Sequence, residues 1–239
     1  MTNTSTSHRG FWILGISLII GLALFGVQVG RAVKVGRAFD RFLSVRGLSE
    51  REVKATLVIW PIRFSVIAED LASLRTEMES SRIKVSAYLT ESGISSNEIA
   101  HGLPTVIDRE DQRLQDNRPG MARYRGFVTL VVRSTNVDLA KKALQGADIL
   151  LQRDVAYLGS DGGMVEFVFN GLSEIKPDMI REATANARAA AEKFAQDSNS
   201  KVGAIRKATQ GMVEIEDRDA ASPELKRVRV VTTVEFFLE

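Results

Sequence analysis

Nineteen residues from Phe11 to Val29 run without a charge, and Ser17 and Gln28 are the only polar side chains among them. Such a run comes close to the roughly 20 apolar residues that span a hydrocarbon core, and it carries no polar stripe with which a soluble helix would face water. It predicts a transmembrane anchor over 11–29, preceded by a tail (1–10) and followed by a charged stalk (30–43) and a domain over 44–239. The competing reading, a cleaved signal peptide, asks for an apolar stretch of about 7–15 residues and a small-x-small cleavage site. Gly30-Arg31-Ala32 approximates that site weakly. Inside the span, Gly26 and Gly30 form a G-x-x-x-G pair and Ser17 and Gly21 repeat its spacing, so these four are the candidates for close helix packing.

The flanking charges pull against one expectation. Arg9 precedes the span while Arg31, Lys34, Arg37 and Arg41 follow it, and counting positive charges places the C-terminal domain in the cytoplasm. The remaining composition is that of a folded protein, with 44% hydrophobic and 26% charged residues. A net charge of +2, with both signs interspersed, argues against a nucleic-acid partner. The chain has no cysteine, which removes disulfides, thiolate metal sites and a cysteine nucleophile.

Beyond the stalk the pattern alternates between strand and helix periods. Val58, Trp60, Ile62, Phe64 and Val66 predict one apolar strand face, with Pro61 implying an edge position or a bulge. Leu71, Leu74, Met78, Val85 and Leu89 follow at helical spacing and Gly93 terminates them. Strands are expected over Asn97 to Arg109 and Phe127 to Val132, a helix over Val137 to Leu151, and a turn at Asp161-Gly162-Gly163 into a strand bearing Val165, Phe167 and Phe169. Pro177 suits a first helical turn, and Ile180, Ala183, Ala187, Ala191 and Phe194 give the next helix its apolar stripe. Val202 to Ile215 and Val228 to Leu238 close the chain as strands. The expected fold class is therefore α+β: two strand-helix-strand-strand units joined by a helix, mostly antiparallel sheet with helices packed on it, plus one N-terminal transmembrane helix.

Chemistry is harder to find. His8 flanks the span, and His101 stands beside Gly102 with no second His or Cys to complete a metal set. Glu166 and the cluster Glu214, Glu216, Asp217 and Asp219 are carboxylates without a spacing that fixes their separation, and a solvated turn accounts for them better than acid–base work. Arg109, Arg113, Arg118, Arg123 and Arg125 alternate with Asp108, Glu110, Asp111 and Asp116 around a single aromatic, Tyr124, which reads as a hairpin tip rather than a base-stacking platform. Trp60 belongs to a core face more readily than to a ligand site. No catalytic residue, cofactor site or metal site is expected.

Ile180-Arg181-Glu182-Ala183-Thr184-Ala185-Asn186-Ala187-Arg188-Ala189-Ala190-Ala191-Glu192-Lys193-Phe194-Ala195 followed by Val202-Gly203-Ala204-Ile205 resembles the alanine- and arginine-bearing helix and glycine-containing strand of the SIMPL domain, also called domain of unknown function 541. Ser44-Val45-Arg46-Gly47, Val53-Lys54-Ala55-Thr56-Leu57-Val58-Ile59-Trp60-Pro61, Ser92-Gly93-Ile94 and Asn97-Glu98-Ile99 extend the likeness over 44–239, in the manner of a membrane-anchored bacterial envelope branch. Thr56 departs from the Asp more usual at its place. The resemblance implies an envelope protein, mostly periplasmic in this family, with no agreed enzymatic mechanism, some links to stress tolerance and ring-like self-assembly; it transfers no catalytic residue. The expectation is thus a single-pass inner-membrane protein whose periplasmic domain works non-enzymatically as a homo-oligomer or partner-binding component. The alternative is a membrane-tethered domain that binds or senses a small ligand between its sheet and the alanine-rich helix. A hydrolase is a third and weaker option.

Overall fold

The computed structural model describes residues 7–38, 41–111, 121–159 and 163–239; in its first helix, side chains are described for Trp12 and for 14–30. The chain forms two units. One comprises Met1–Glu50, Pro177–Val213 and Arg229–Glu239, the other Arg51–Lys176 and Glu214–Val228.

Helix α1 (Ser7–Ala38) contains the expected span and continues through most of the residues expected as a stalk. Its described side chains, Trp12 and 14–30, are all exposed. Among the described residues, no helix is long and apolar enough to cross a membrane.

The second unit is built on β2 (Leu57–Ala68), which pairs antiparallel with β5 (Tyr124–Ser134) along its length. β3 (Ile99–His101) and β4 (Thr105–Asp108) pair with the side of β5 away from β2, while β6 (Ala156–Tyr157) and β7 (Glu166–Val168) pair with the side of β2 away from β5. Val58, Trp60, Ile62 and Phe64 fall on one buried face, as their alternation predicts. Helix α2 (Leu71–Glu91) covers that face with Leu74, Val85 and Leu89, joined by Ala140 and Ala143 of α3 (Val137–Gln145) and Leu150 of α4 (Ile149–Gln152).

Several expectations change here for physical reasons. Pro61 lies in a central strand, not an edge. The Arg63 carbonyl accepts from the Leu158 amide on the β6 side, so Pro61, two residues back, points the same way. It faces the gap between β7, which ends opposite Ile59, and β6, which begins opposite Phe64, so its missing N–H costs no ladder bond. The strand expected over Asn97 to Arg109 is a 3-10 turn (Ser96–Glu98) and two short strands, interrupted at Gly102-Leu103-Pro104. The helix expected over Val137 to Leu151 breaks after Gln145. There the Tyr88 hydroxyl donates to the Ala143 carbonyl, and the Ala147 amide turns to Leu144 instead. Leu71 is exposed rather than core. In the turn expected at Asp161-Gly162-Gly163, the first two residues lie outside the described ones; Gly163 has φ +123° and leads toward β7.

The other sheet has the order β1-β9-β8, from β1 (Phe42–Lys54), β8 (Val202–Asp217) and β9 (Leu225–Leu238). Its strands are antiparallel, because Leu238 bonds Arg41 at one end of the β1–β9 pair and Ala55 bonds Glu224 at the other. Helix α5 (Leu172–Asp197) lays its stripe on β1. The buried stripe is Met179, Ala183, Ala187, Ala191 and Ala195, a strict four-residue repeat, whereas Ile180 is half-buried and Phe194 is 60% exposed. Pro177 is the sixth residue of α5 rather than in its first turn, and so leaves the Ser173 carbonyl without its helical donor.

Both sheets share one topology. Within β2-α2-β3/β4-β5 the last strand lies between the first and the middle ones; β1, α5, β8 and β9 repeat that order, with everything from β2 to β7 inserted between β1 and α5. The two strand-helix-strand-strand sets expected from the sequence are therefore nested. β7 joins the first sheet, and β1, expected as stalk and lead-in, supplies the first strand of the second. The fold is α+β with mostly antiparallel sheets.

Candidate functional site

Four features stand out, and the first two carry the residues singled out by the sequence. The first is α1. A side chain added at Gly21, Gly26 or Gly30 would meet nothing within 4 Å, and the Ser17 hydroxyl donates to the Leu14 carbonyl at 3.0 Å, so the small-residue face stands open. His8 and Arg9 lie in this helix outside the described side chains, as do Arg31, Lys34 and Arg37.

The second is the set of polar clusters, and the structure disperses them. Asp217 pairs with Lys226, while Asp219 accepts from Arg218 at 2.7 Å and has its carboxyl held below the usual range by that bond. Glu214 and Glu216 are exposed on β8, and Glu166 is exposed on β7. Around the β4–β5 hairpin, Arg123 binds Asp108 at 2.9 Å and Arg109 donates to the Ala122 carbonyl at 2.6 Å; Arg125 and Arg63 lie over Phe127. Arg113, Asp116 and Arg118 lie outside the described residues. Trp60 is fully buried, with its indole nitrogen 3.4 Å from the Tyr157 hydroxyl. Thr56, at the place where the resemblance expected Asp, accepts from the Asn170 amide at 2.9 Å and so ties β2 to the end of β7. Among the described residues no group of three or more His, Cys, Asp or Glu is placed to hold a metal.

The third is β8, which no periodicity singled out as unusual. It is the outer strand of its sheet, and every residue is exposed except Val202, Gly203 and Val213, which are half-buried. Met212 is 84% exposed. Its first half carries Arg206 and Lys207 and its last third Glu214, Glu216 and Asp217.

The fourth is a groove of about 460 Å³ between α2 and the β3–β4 edge, floored by Leu74, Met78 and Val128 and walled by Leu71, Pro104 and Val106. Arg75, Glu79 and Arg82 line its helical rim. The Arg82 Nε donates to Glu79 at 2.8 Å, and this bond, more than the smaller attraction of His101 and Arg75, holds the Glu79 carboxyl below its ordinary range. Sequence reasoning expected a ligand space against the alanine-rich helix. That position is occupied by backbone: a Cβ on Gly47 of β1 would lie 1.8 Å from the Ala183 carbonyl oxygen. The groove was missed because its floor residues read as ordinary core positions of α2 and β5.

No curated protein matches the sequence. Residues 43–236 match the SIMPL family, described as a protein of unknown function (DUF541). That match takes in both sheets and every helix after α1, and so the chain belongs to the SIMPL family.

Proposed function

We propose that this protein is a non-enzymatic component of the bacterial cell envelope, a SIMPL domain tethered to the inner membrane by α1, facing the periplasm and acting by association with further copies of itself. The observation that carries the association is β8. A 16-residue outer strand, exposed on both faces, leaves a row of backbone donors and acceptors and several apolar side chains in water. Proteins ordinarily shorten, bulge or cover such an edge unless it is used for pairing. Charge selects the arrangement. Two β8 strands running antiparallel set the basic half of each against the acidic third of the other, bringing Lys207 toward Glu214, whereas parallel pairing opposes like charges.

The tether is supported by α1, whose apolar side chains at Trp12 and from Leu14 to Val29 are exposed among the described residues. A helix of 32 residues rises about 48 Å, more than a hydrocarbon core needs. Confinement to one membrane raises the effective concentration of copies, so weak strand contacts suffice to assemble them. Light scattering on the detergent-solubilised full-length chain tests the reading. The particle mass should rise with protein concentration, fall for Lys207→Glu, and recover when Glu214→Lys is added. A wild-type chain that stays monomeric at every concentration would sink the assembly reading, and a single charge reversal without effect would sink the antiparallel β8 pairing.

A further inference from the structure

We propose that the groove between α2 and the β3–β4 edge binds a single-chain amphiphile with a carboxylate head, a free fatty acid being the simplest member. The inference stands apart from the assembly reading, since it uses none of β8. Its first support is the floor. Leu74 and Val128 are buried beneath the groove, yet the space above them is open and has the volume of a small-molecule site. An alkyl chain laid there removes apolar surface from water, including Val106, which is 47% exposed on the opposite wall.

The second support is the charge at the rim. Arg82 is engaged by Glu79, but Arg75, one helical turn before Glu79 on the same face, makes no hydrogen bond or ion pair among the described residues. An apolar trough ending beside a guanidinium whose hydrogen-bond donors are unused among the described residues complements a chain that ends in an anion, because the guanidinium fork matches a carboxylate. A two-chain lipid is a poorer fit to a single trough, and a neutral alcohol leaves Arg75 unanswered. Glu79 sets the strength of the site, since it offsets the positive field that a carboxylate head would feel.

The test uses the full-length chain in nanodiscs and dodecanoate carrying a terminal diazirine, with labelled residues located by peptide mass spectrometry. Mapping the label is needed because α1 will also take up apolar probes. Labelling should fall on peptides from α2 and from Pro104 to Val128, and excess unlabelled dodecanoate should displace it. Arg75→Glu should weaken it by about tenfold, the value of one charge-assisted hydrogen bond. Glu79→Gln should strengthen it, and Val106→Trp, a change at an exposed position, should block it. The matching dodecanol probe should be insensitive to Arg75→Glu. Label confined to α1, groove labelling that ignores these substitutions, or equal loss of acid and alcohol probes in Arg75→Glu would each overturn the proposal.

Discussion

Gly47 shows how one missing side chain sets the spacing between a strand and a helix. A Cβ there would lie 1.8 Å from the Ala183 carbonyl oxygen and 2.6 Å from the Ala187 nitrogen, both backbone atoms that cannot rotate away. The alanine stripe of α5 is the other half of the same fit. Two polar bonds hold the contact from its flanks: the Ser49 hydroxyl donates to Glu182 at 2.9 Å, and the Asn186 amide to the Leu48 carbonyl at 2.8 Å. Gly126 makes an instructive comparison, because the atom nearest its absent Cβ is the Met78 sulfur at 2.6 Å, the movable end of a flexible side chain. Gly47→Ala should therefore force β1 and α5 apart and destabilise the domain by at least about 2 kcal/mol, while Gly126→Ala should cost less than about 1.5 kcal/mol after Met78 shifts. Denaturant midpoints followed by circular dichroism decide it, and equal losses for the two variants would refute this account of the packing.

At the scale of elements, α2 begins where Asp70 caps it. One carboxylate oxygen accepts from the Ala72 and Ser73 amides at 2.9 Å and the other from the Ser73 hydroxyl at 2.7 Å. The Ser73 amide bond, first among these, holds the carboxyl below its reference value of 3.8. A depressed carboxyl contributes stability that is present above the unfolded-state pKa and is lost as pH falls through the folded value. Wild type should thus exceed Asp70→Asn in thermal midpoint at neutral pH, and the gap should close on acidification below about 3.8; a gap unchanged from neutral pH to pH 2 would show that the charge adds nothing to the cap. The face of β2 was legible in the sequence because it is written locally, in one alternation, whereas the Asp70 cap went unread. Nor was β1 legible. Its inward positions include Gly47 and Ser49, which are small because α5 comes so close, and a strand that packs by being small has no apolar period to read. The break after Gln145 combines a local signal, Gly146 at the helix end, with a remote one, the Tyr88 hydroxyl on the Ala143 carbonyl, and only the second lay beyond the sequence. The groove and the β8 edge escaped for a related reason: both are defined by what fails to cover them, and periodicity records which side chains are apolar, not which remain open.

For the molecule as a whole, the proposed tether requires the domain to lie on one side of the membrane, and the sequence pulls in two directions. Arg31, Lys34, Arg37 and Arg41 follow the apolar run and only Arg9 precedes it, which favours a cytoplasmic domain. The resemblance to envelope proteins implies the periplasm, which is the side proposed here. The charge rule is a bias on insertion rather than a structural constraint, and α1 continues as helix to Ala38, so Arg31, Lys34 and Arg37 sit on the same helix as the apolar run and Arg41 alone lies beyond it. A reporter enzyme that matures only in the periplasm, fused after Glu239 and compared with a reporter fluorescent only in the cytoplasm, separates the two. Periplasmic activity is the expected result, and it places both β8 and the α2 groove where envelope proteins and exported lipids can meet them. Cytoplasmic fluorescence from a stably produced fusion would instead uphold the basic flank, remove the envelope from the proposed function, and direct the search for what covers β8 to the cytoplasmic face of the membrane.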